Sequence, residues 1–153
     1  MSDSLEIKVV DVTNSDFPEL VKKLDAELAV IDGDDHDFYH SFNGIENLKN
    51  RIVAYSQNRA IAIGAFAEKP QLNGVEIKRM YCLPEFRGRG MGTQVLLALE
   101  QLAREKGFSK TLLETGKRQE DAVALYTKNG YQIIPNYPPY EGVENSVCFS
   151  KVL

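Results

Sequence analysis

Apolar and polar positions alternate through LEIKVVDV (residues 5–12), and the segment is rich in β-branched side chains, which predicts a strand. The next stretch, SDFPELVKKLDAEL, changes period. Leu20, Val21, Leu24 and Leu28 recur at helical spacing, Pro18 falls in the first turn, and Ser15 or Asp16 can cap the start. A polar break, DGDDHD (32–37), separates this helix from a second helical pattern that runs to about Lys49. RIVAYS (51–56) and AIAIGAFAE (60–68) then read as strands flanking a polar turn at Gln57–Arg59, and Asn73-Gly74 launches a third, VEIKRMYCL (75–83). Consecutive hairpins make this part an antiparallel meander.

From Met91 to Lys106, Val95, Leu96, Leu99, Leu102 and Ala103 trace one helical face, and Gly107 is placed to end it. KTLLET (110–115) has the composition of a buried strand. QEDAVALYTKN (119–129) is helical up to Gly130, YQIIP is a short strand, and a Pro- and Tyr-rich loop (135–145) leads to a last strand, SVCFSKVL. The predicted order is β-α-α-β-β-β-α-β-α-β-β. That order defines a single α/β domain over residues 1–153, with a mixed, mostly antiparallel sheet flanked by helices.

Composition narrows the function. The 153 residues are 43% apolar and 26% charged, ordinary for a globular protein, and no apolar run approaches a membrane span. The start MSDSLEIKVV lacks a basic, then apolar, leader, and Cys82 and Cys148 are too few for a disulfide framework. A cytoplasmic protein is expected. A net charge of −4 argues against broad binding to nucleic acid, so any anion must be held at a local site.

PEFRGRGMGT (84–93) is that place. Three glycines alternate with Arg89 and Met91, Arg87 precedes them, and a helix follows. Glycines expose the free N–H groups of a helix start, and guanidinium groups can add charge-assisted hydrogen bonds to phosphate oxygens. The expected ligand is a diphosphate held mostly by backbone amides. The G-x-G-x-G spacing (88, 90, 92) differs from the dinucleotide fingerprint, and no Walker lysine follows.

RMYCLPEFRGRGMGTQVL resembles motif A of the GNAT superfamily of acyl-CoA N-acyltransferases, whose consensus is Arg/Gln-x-x-Gly-x-Gly/Ala; Arg87, Gly90 and Gly92 occupy its fixed positions. AVALYTKNGY (122–131) is similar to motif B, and the segment from LETGKR onward looks like a bacterial subgroup. The resemblance implies acetyl transfer from acetyl-CoA to an amine in a ternary complex. It places the pyrophosphate on the amides of Arg87, Gly88, Arg89, Gly90, Met91, Gly92 and Thr93. It places the pantetheine arm along Met80, Tyr81 and Cys82, where a bulge frees an N–H to polarise the thioester carbonyl.

An amine of pKa ~10 must lose a proton before it attacks. Glu76, eleven residues before Arg87, stands where several family members carry a catalytic glutamate, and a solvated strand residue is the competing reading. Tyr126 matches the motif B tyrosine that in many members protonates the departing thiolate; otherwise it is a core aromatic. Arg79, Glu114, Thr115 and Tyr140 are candidate acceptor contacts, Arg79 for a carboxylate or else a surface ion pair. His36 and His40 could share a helical face but lack a third metal ligand, so no metal is expected. The acidic 32–37 run is either a solvated loop or a wall that attracts a cationic amine.

The expected protein is an acetyl-CoA-dependent N-acetyltransferase for a small-molecule amine, working by direct attack because neither cysteine has a base beside it in sequence. A lysine or N-terminal acetyltransferase acting on proteins is the rival within the chemistry; a non-catalytic acyl-CoA sensor is the rival outside it. Homodimers are common in the superfamily, so the resemblance allows one.

Overall fold

The computed structural model describes residues 5–35 and 44–153. Along the chain it forms β1 (Leu5–Val10), α1 (Asp16–Asp32), β2 (Asn50–Ser56), β3 (Arg59–Lys69), β4 (Gly74–Cys82), α2 (Met91–Glu105), β5 (Lys110–Gly116), α3 (Glu120–Lys128), β6 (Gln132–Ile134) and β7 (Ser146–Val152). The seven strands make one sheet in the order β1-β2-β3-β4-β5-β7-β6. Every neighbouring pair is antiparallel except β4 and β5. The α/β class and the strand order agree with the periodicities above, and the described residues carry every expected element except the second helix.

The apolar stripes explain which side of the sheet each helix covers. Arg51 pairs with Ala65, and Ile52 with Gly64, so these two pairs face opposite sides. α1 covers the first side, with the ring of Phe17 4.7 Å from the Arg51 guanidinium. α2 covers the other, and Gly64 makes room for it: a Cβ there would stand 2.7 Å from Met80 Sδ and 2.8 Å from both Val95 and Leu99. Ile52, Ile63, Phe66, Leu96, Leu99 and Phe149 are fully buried within the resulting core.

Two local expectations change. α1 does start at Asp16, but neither Ser15 nor Asp16 caps it; Asn14 Oδ1 accepts from the N–H groups of Asp16 and Phe17, both at 3.0 Å. The second helical pattern falls largely on residues outside the described ones, together with His36 and His40. Its last part, 44–49, forms turns rather than helix. There the Arg51 guanidinium takes the carbonyls of Ile45 and Leu48, and the Leu48 N–H closes a turn onto Ile45 O at 3.0 Å. The two later helix ends behave as glycine predicts: Phe108 N–H returns to Ala103 O and Tyr131 N–H to Tyr126 O, with Gly107 and Gly130 at φ +89° and +90°.

A polar cluster joins α2 to the half of the sheet formed by β5, β7 and β6. Glu100, on α2, is 0% exposed, yet charged. Its carboxylate accepts from Lys151 Nζ of β7 at 2.9 Å and from Tyr131 Oη at 2.9 Å, and Tyr131 Oη lies 2.7 Å from Thr111 Oγ1 of β5. Full pairing makes this burial tolerable, and removing one member exposes its cost. Glu100→Ala is expected to lower stability by about 3 kcal/mol, read as a fall in the urea midpoint at unchanged m-value.

Candidate functional site

β4 and β5 form a ladder of only two residue pairs, Val75↔Thr111 and Glu76↔Leu112, and then part. Beyond Glu76 the two strands bound an open wedge. β4 is also bulged: Ile63 of β3 pairs with Tyr81 and Ala65 with Lys78, so Arg79 and Met80 together face Gly64. Arg79 adopts φ +60°, unusual for a residue with a Cβ. Its guanidinium is secured by Asp25 of α1 at 2.8 Å, with the side chain buried. That ion pair occupies the group expected to meet an acceptor carboxylate.

The wedge opens into a cleft of about 830 Å³ that runs from the glycine turn, past β4, to the far end of α1. On one wall lie Glu76, Arg79, Met80, Tyr81 and Cys82; at the mouth lie Arg87, Gly88, Gly90, Met91, Gly92 and Thr93. Glu114, Thr115, Tyr126 and Tyr140 complete it. Of the cofactor, catalytic and acceptor residues expected from the sequence, all of them described, Arg89 alone does not line this cleft; it lies over the ring of Phe86 at 5.4 Å.

At the mouth, Gly88 and Gly90 have φ of +78° and +80°, and Gly90 is the left-handed residue that opens α2. A side chain at either position would be strained, so the turn is kept bare and the first amides of α2 stay uncovered. Gly92 serves packing instead, 3.3 Å from Leu125 of α3 at its Cβ position. Arg87 does not point at open space. It donates to both carboxylate oxygens of Glu27 of α1 at 3.1 and 2.8 Å and to Cys82 O at 2.9 Å.

Deeper in, Glu76 is 3% exposed rather than solvated. Its Oε2 accepts from Tyr137 Oη at 2.7 Å, and its Oε1 lies 3.6 Å from Lys78 Nζ and 3.9 Å from Lys69 Nζ. Burial pulls the Lys78 ammonium below its usual range, against the pull of Glu76. Glu114 is more perturbed: burial pushes its carboxyl up to about 7, opposed by a hydrogen bond from Ser146 and by Lys78. Tyr126 lies across the sheet, 6% exposed, edge-on to Tyr131 at 5.7 Å and tilted against Phe149 at 6.2 Å. Burial raises its phenol further above the usual value.

Several lining residues are not evident from the motifs. Glu27 and Asp32 come from α1, and Arg118 from the β5–α3 loop donates to Asp32 O at 2.7 Å and Ile31 O at 3.3 Å. The last turn of α1 has no basic residue of its own, so Arg118 supplies the cation that favours a helix C-terminus. The signal for Glu27 was present: it interrupts the apolar row Leu20, Leu24, Leu28 and Ile31 on the buried side of α1. Among the described residues no helix is long and apolar enough to cross a membrane, and no group of three metal-ligating side chains occurs.

A bare glycine turn at a helix start, beside a bulged strand that parts from its parallel neighbour, defines the class. A model of the acetyltransferase (GNAT) family matches residues 11–131, and the chain belongs to that family. Among curated relatives, the IAA acetyltransferase of Azospirillum brasilense is 36% identical over 89 residues, 58% of either chain. The spermidine N(1)-acetyltransferase of Thermoplasma acidophilum is 29% identical over 98 residues, 58% of this chain and 61% of its own. The chain thus spans about three fifths of these two relatives. A Klebsiella pneumoniae structure assigned as an acyl-CoA N-acyltransferase superposes with a TM-score of 0.81 at 31% identity, covering 97% of both chains. The PaiA N-acetyltransferase of Thermoplasma acidophilum, solved with coenzyme A, shares the fold at a TM-score of 0.68 and 16% identity, over 98% of this chain and 99% of its own.

Both cysteines are held away from reactivity. Burial raises the Cys82 thiol above its usual range, against Arg87, and pushes Cys148 up to about 11. A raised pKa means less thiolate at neutral pH. At pH 7.5 both thiols are expected to react with Ellman's reagent more slowly than free glutathione in the folded protein, and at its rate once unfolded.

Proposed function

We propose that the protein is an acetyl-CoA-dependent N-acetyltransferase that moves the acetyl group from the CoA thioester to a primary amine of a small molecule, by direct attack in a ternary complex. The parted strands carry this reading: a slot open to both faces of the sheet lets a thioester enter from one side and an amine from the other. The names of the two curated relatives support the reaction type.

The residues fit the cofactor. The amides from Gly88 to Thr93 would hold its diphosphate, with Gly88 and Gly90 giving the close approach. Arg87 contributes by tying that turn to α1 through Glu27, and Arg89 remains at the rim. The edge of β4 at Met80, Tyr81 and Cys82 would pair with the pantetheine, and an N–H near the bulge, at Tyr81 or beside it, would polarise the carbonyl. Coenzyme A supplies an acetyl group activated as a thioester; the protein supplies position and proton transfer.

An ammonium acceptor gives one proton to a carboxylate on the α1 side, where Glu76 and Glu114 stand. Its nitrogen then forms the C–N bond, and the C–S bond breaks as the carbonyl re-forms. Tyr126 gives its proton to the leaving sulfur and is refilled from the nitrogen, so no buried phenolate persists. The raised phenol keeps that proton in place throughout the neutral range. With both thiols raised, an acyl-enzyme on cysteine is disfavoured.

The 135–145 loop supports a compact acceptor. Asn136 Nδ2 donates to the carbonyls of Tyr140, Val143 and Ser146, and Tyr137 and Tyr140 are buried beneath, which closes the loop rather than opening a peptide groove. Thiol release from acetyl-CoA over a panel of amines, amino acids and peptides tests the reading. Turnover is expected with small amines. Tyr126→Phe should lower kcat about 10²-fold while leaving the KM for acetyl-CoA nearly constant. CoA at about a hundredfold over Kd should raise Tm by roughly 5–10 °C. Binding without turnover on any amine would sink the catalytic reading.

A further inference from the structure

Two carboxylates flank the acceptor side of the wedge, and their surroundings differ in kind. Glu76 pairs with Leu112 across the last contact of β4 and β5, and Glu114 lies two residues on from Leu112, so both are on the α1 side. Glu76 accepts a hydrogen bond from the Tyr137 hydroxyl on one oxygen, and its other oxygen faces the ammonium groups of Lys78 and Lys69 at ion-pair distance. Glu114 Oε2 is buried with no hydrogen-bond partner. The groups facing Glu114 are Glu76 and Lys78 of β4, Asp32 of α1, Ser146 and Cys148 of β7, and Tyr126 from the opposite side of the sheet.

A general base needs a lone pair that nothing else occupies and a pKa near the working pH. Glu76 is the more committed of the two, with the Tyr137 hydroxyl on one oxygen and two ammonium groups facing the other. On this geometry, and resting on the reaction proposed above, we propose that Glu114 is the group that takes the proton from the incoming amine, and that Glu76 is a positioning residue that holds Lys78 beside it. The carboxylate of Glu114 becomes a carboxylic acid as the ammonium becomes an amine, and the nitrogen lone pair is released toward the thioester carbon. Tyr126 then works from the other side, so base and acid approach the reacting atoms from opposite faces. Burial that lifts Glu114 to about 7 suits it to this exchange in the neutral range.

The test compares Glu114→Gln and Glu76→Gln by pH–rate profiles, with a carboxyl titration of protein labelled with 13C at glutamate. Below about 7 Glu114 holds its own proton, so wild-type kcat should rise through that pH. Glu114→Gln should lose about 10²–10³-fold in kcat with little change in the KM for acetyl-CoA, and should lose the limb near neutrality. CoA should still raise its Tm, which confirms that it folds. Glu76→Gln should keep the limb but move it to lower pH, because the negative charge that raises Glu114 is gone and Lys78 is freed to turn toward it. A Glu114→Gln enzyme with wild-type kcat and limb overturns the proposal, as does loss of the limb in Glu76→Gln. If CoA binds but no amine is turned over, the reaction assignment fails, and the titration judges Glu114 alone. One carboxyl titrating near neutrality and missing in Glu114→Gln supports the assignment; a Glu114 carboxyl in the ordinary range near 4 overturns it.

Discussion

The shortness of the β4–β5 ladder governs the molecule. A parallel pair normally continues for the length of both strands, but here it stops after Glu76 because β4 is re-aimed. The bulge at Arg79 and Met80 bends β4, Gly64 admits Met80 on one side, and the Asp25 ion pair restrains Arg79 on the other. What would be a defect in a sheet becomes a passage through it. The glycine turn that follows β4 is thereby delivered to the passage mouth, and the α3 tyrosine to its inner edge.

Charge at the rim of the cleft acts by position. α1 is held to the rim by Asp25 to Arg79, by Glu27 to Arg87, and by Arg118 on its last carbonyls. These attachments come from β4, the glycine turn and the β5–α3 loop, which are the three segments that shape the cleft. The helix therefore acts less as a cover for apolar surface than as a brace that fixes the distance between segments remote in sequence. Pairs like these are not large sources of stability, since solvent screens the exposed one to Arg87 and desolvation offsets much of the attraction at the buried Arg79. Their effect is geometric.

Most of the architecture was legible along the chain because it depends on local period and on glycine. The stripe of α2, the stops at Gly107 and Gly130, and the turn at 88–92 all follow from residues within a few positions of one another. What was not legible depends on partners far away. Asn14 rather than Ser15 caps α1, and its amide is steadied by donating to Tyr55 Oη, forty-one residues away. Glu76 and Glu114 look alike as strand carboxylates. Only the folded neighbourhood shows that Tyr137, sixty-one residues away, has claimed one and left the other.

The same short ladder has a mechanical consequence. The β1–β4 meander is tied to β5, β7 and β6 by very little backbone pairing, so the sheet has a seam along its own site. α2 packs on the meander, yet its Glu100 reaches over to Lys151 and Tyr131 on the far half. That buried carboxylate is a clasp at the end of the seam opposite the wedge. One apolar core runs beneath both halves, from Ile52, Ile63 and Phe66 to Leu113 and Phe149, so the clasp reinforces a junction that is already packed, some distance from the chemistry. Sequence drift at the clasp would then change the strength of that junction without altering a single residue that lines the slot.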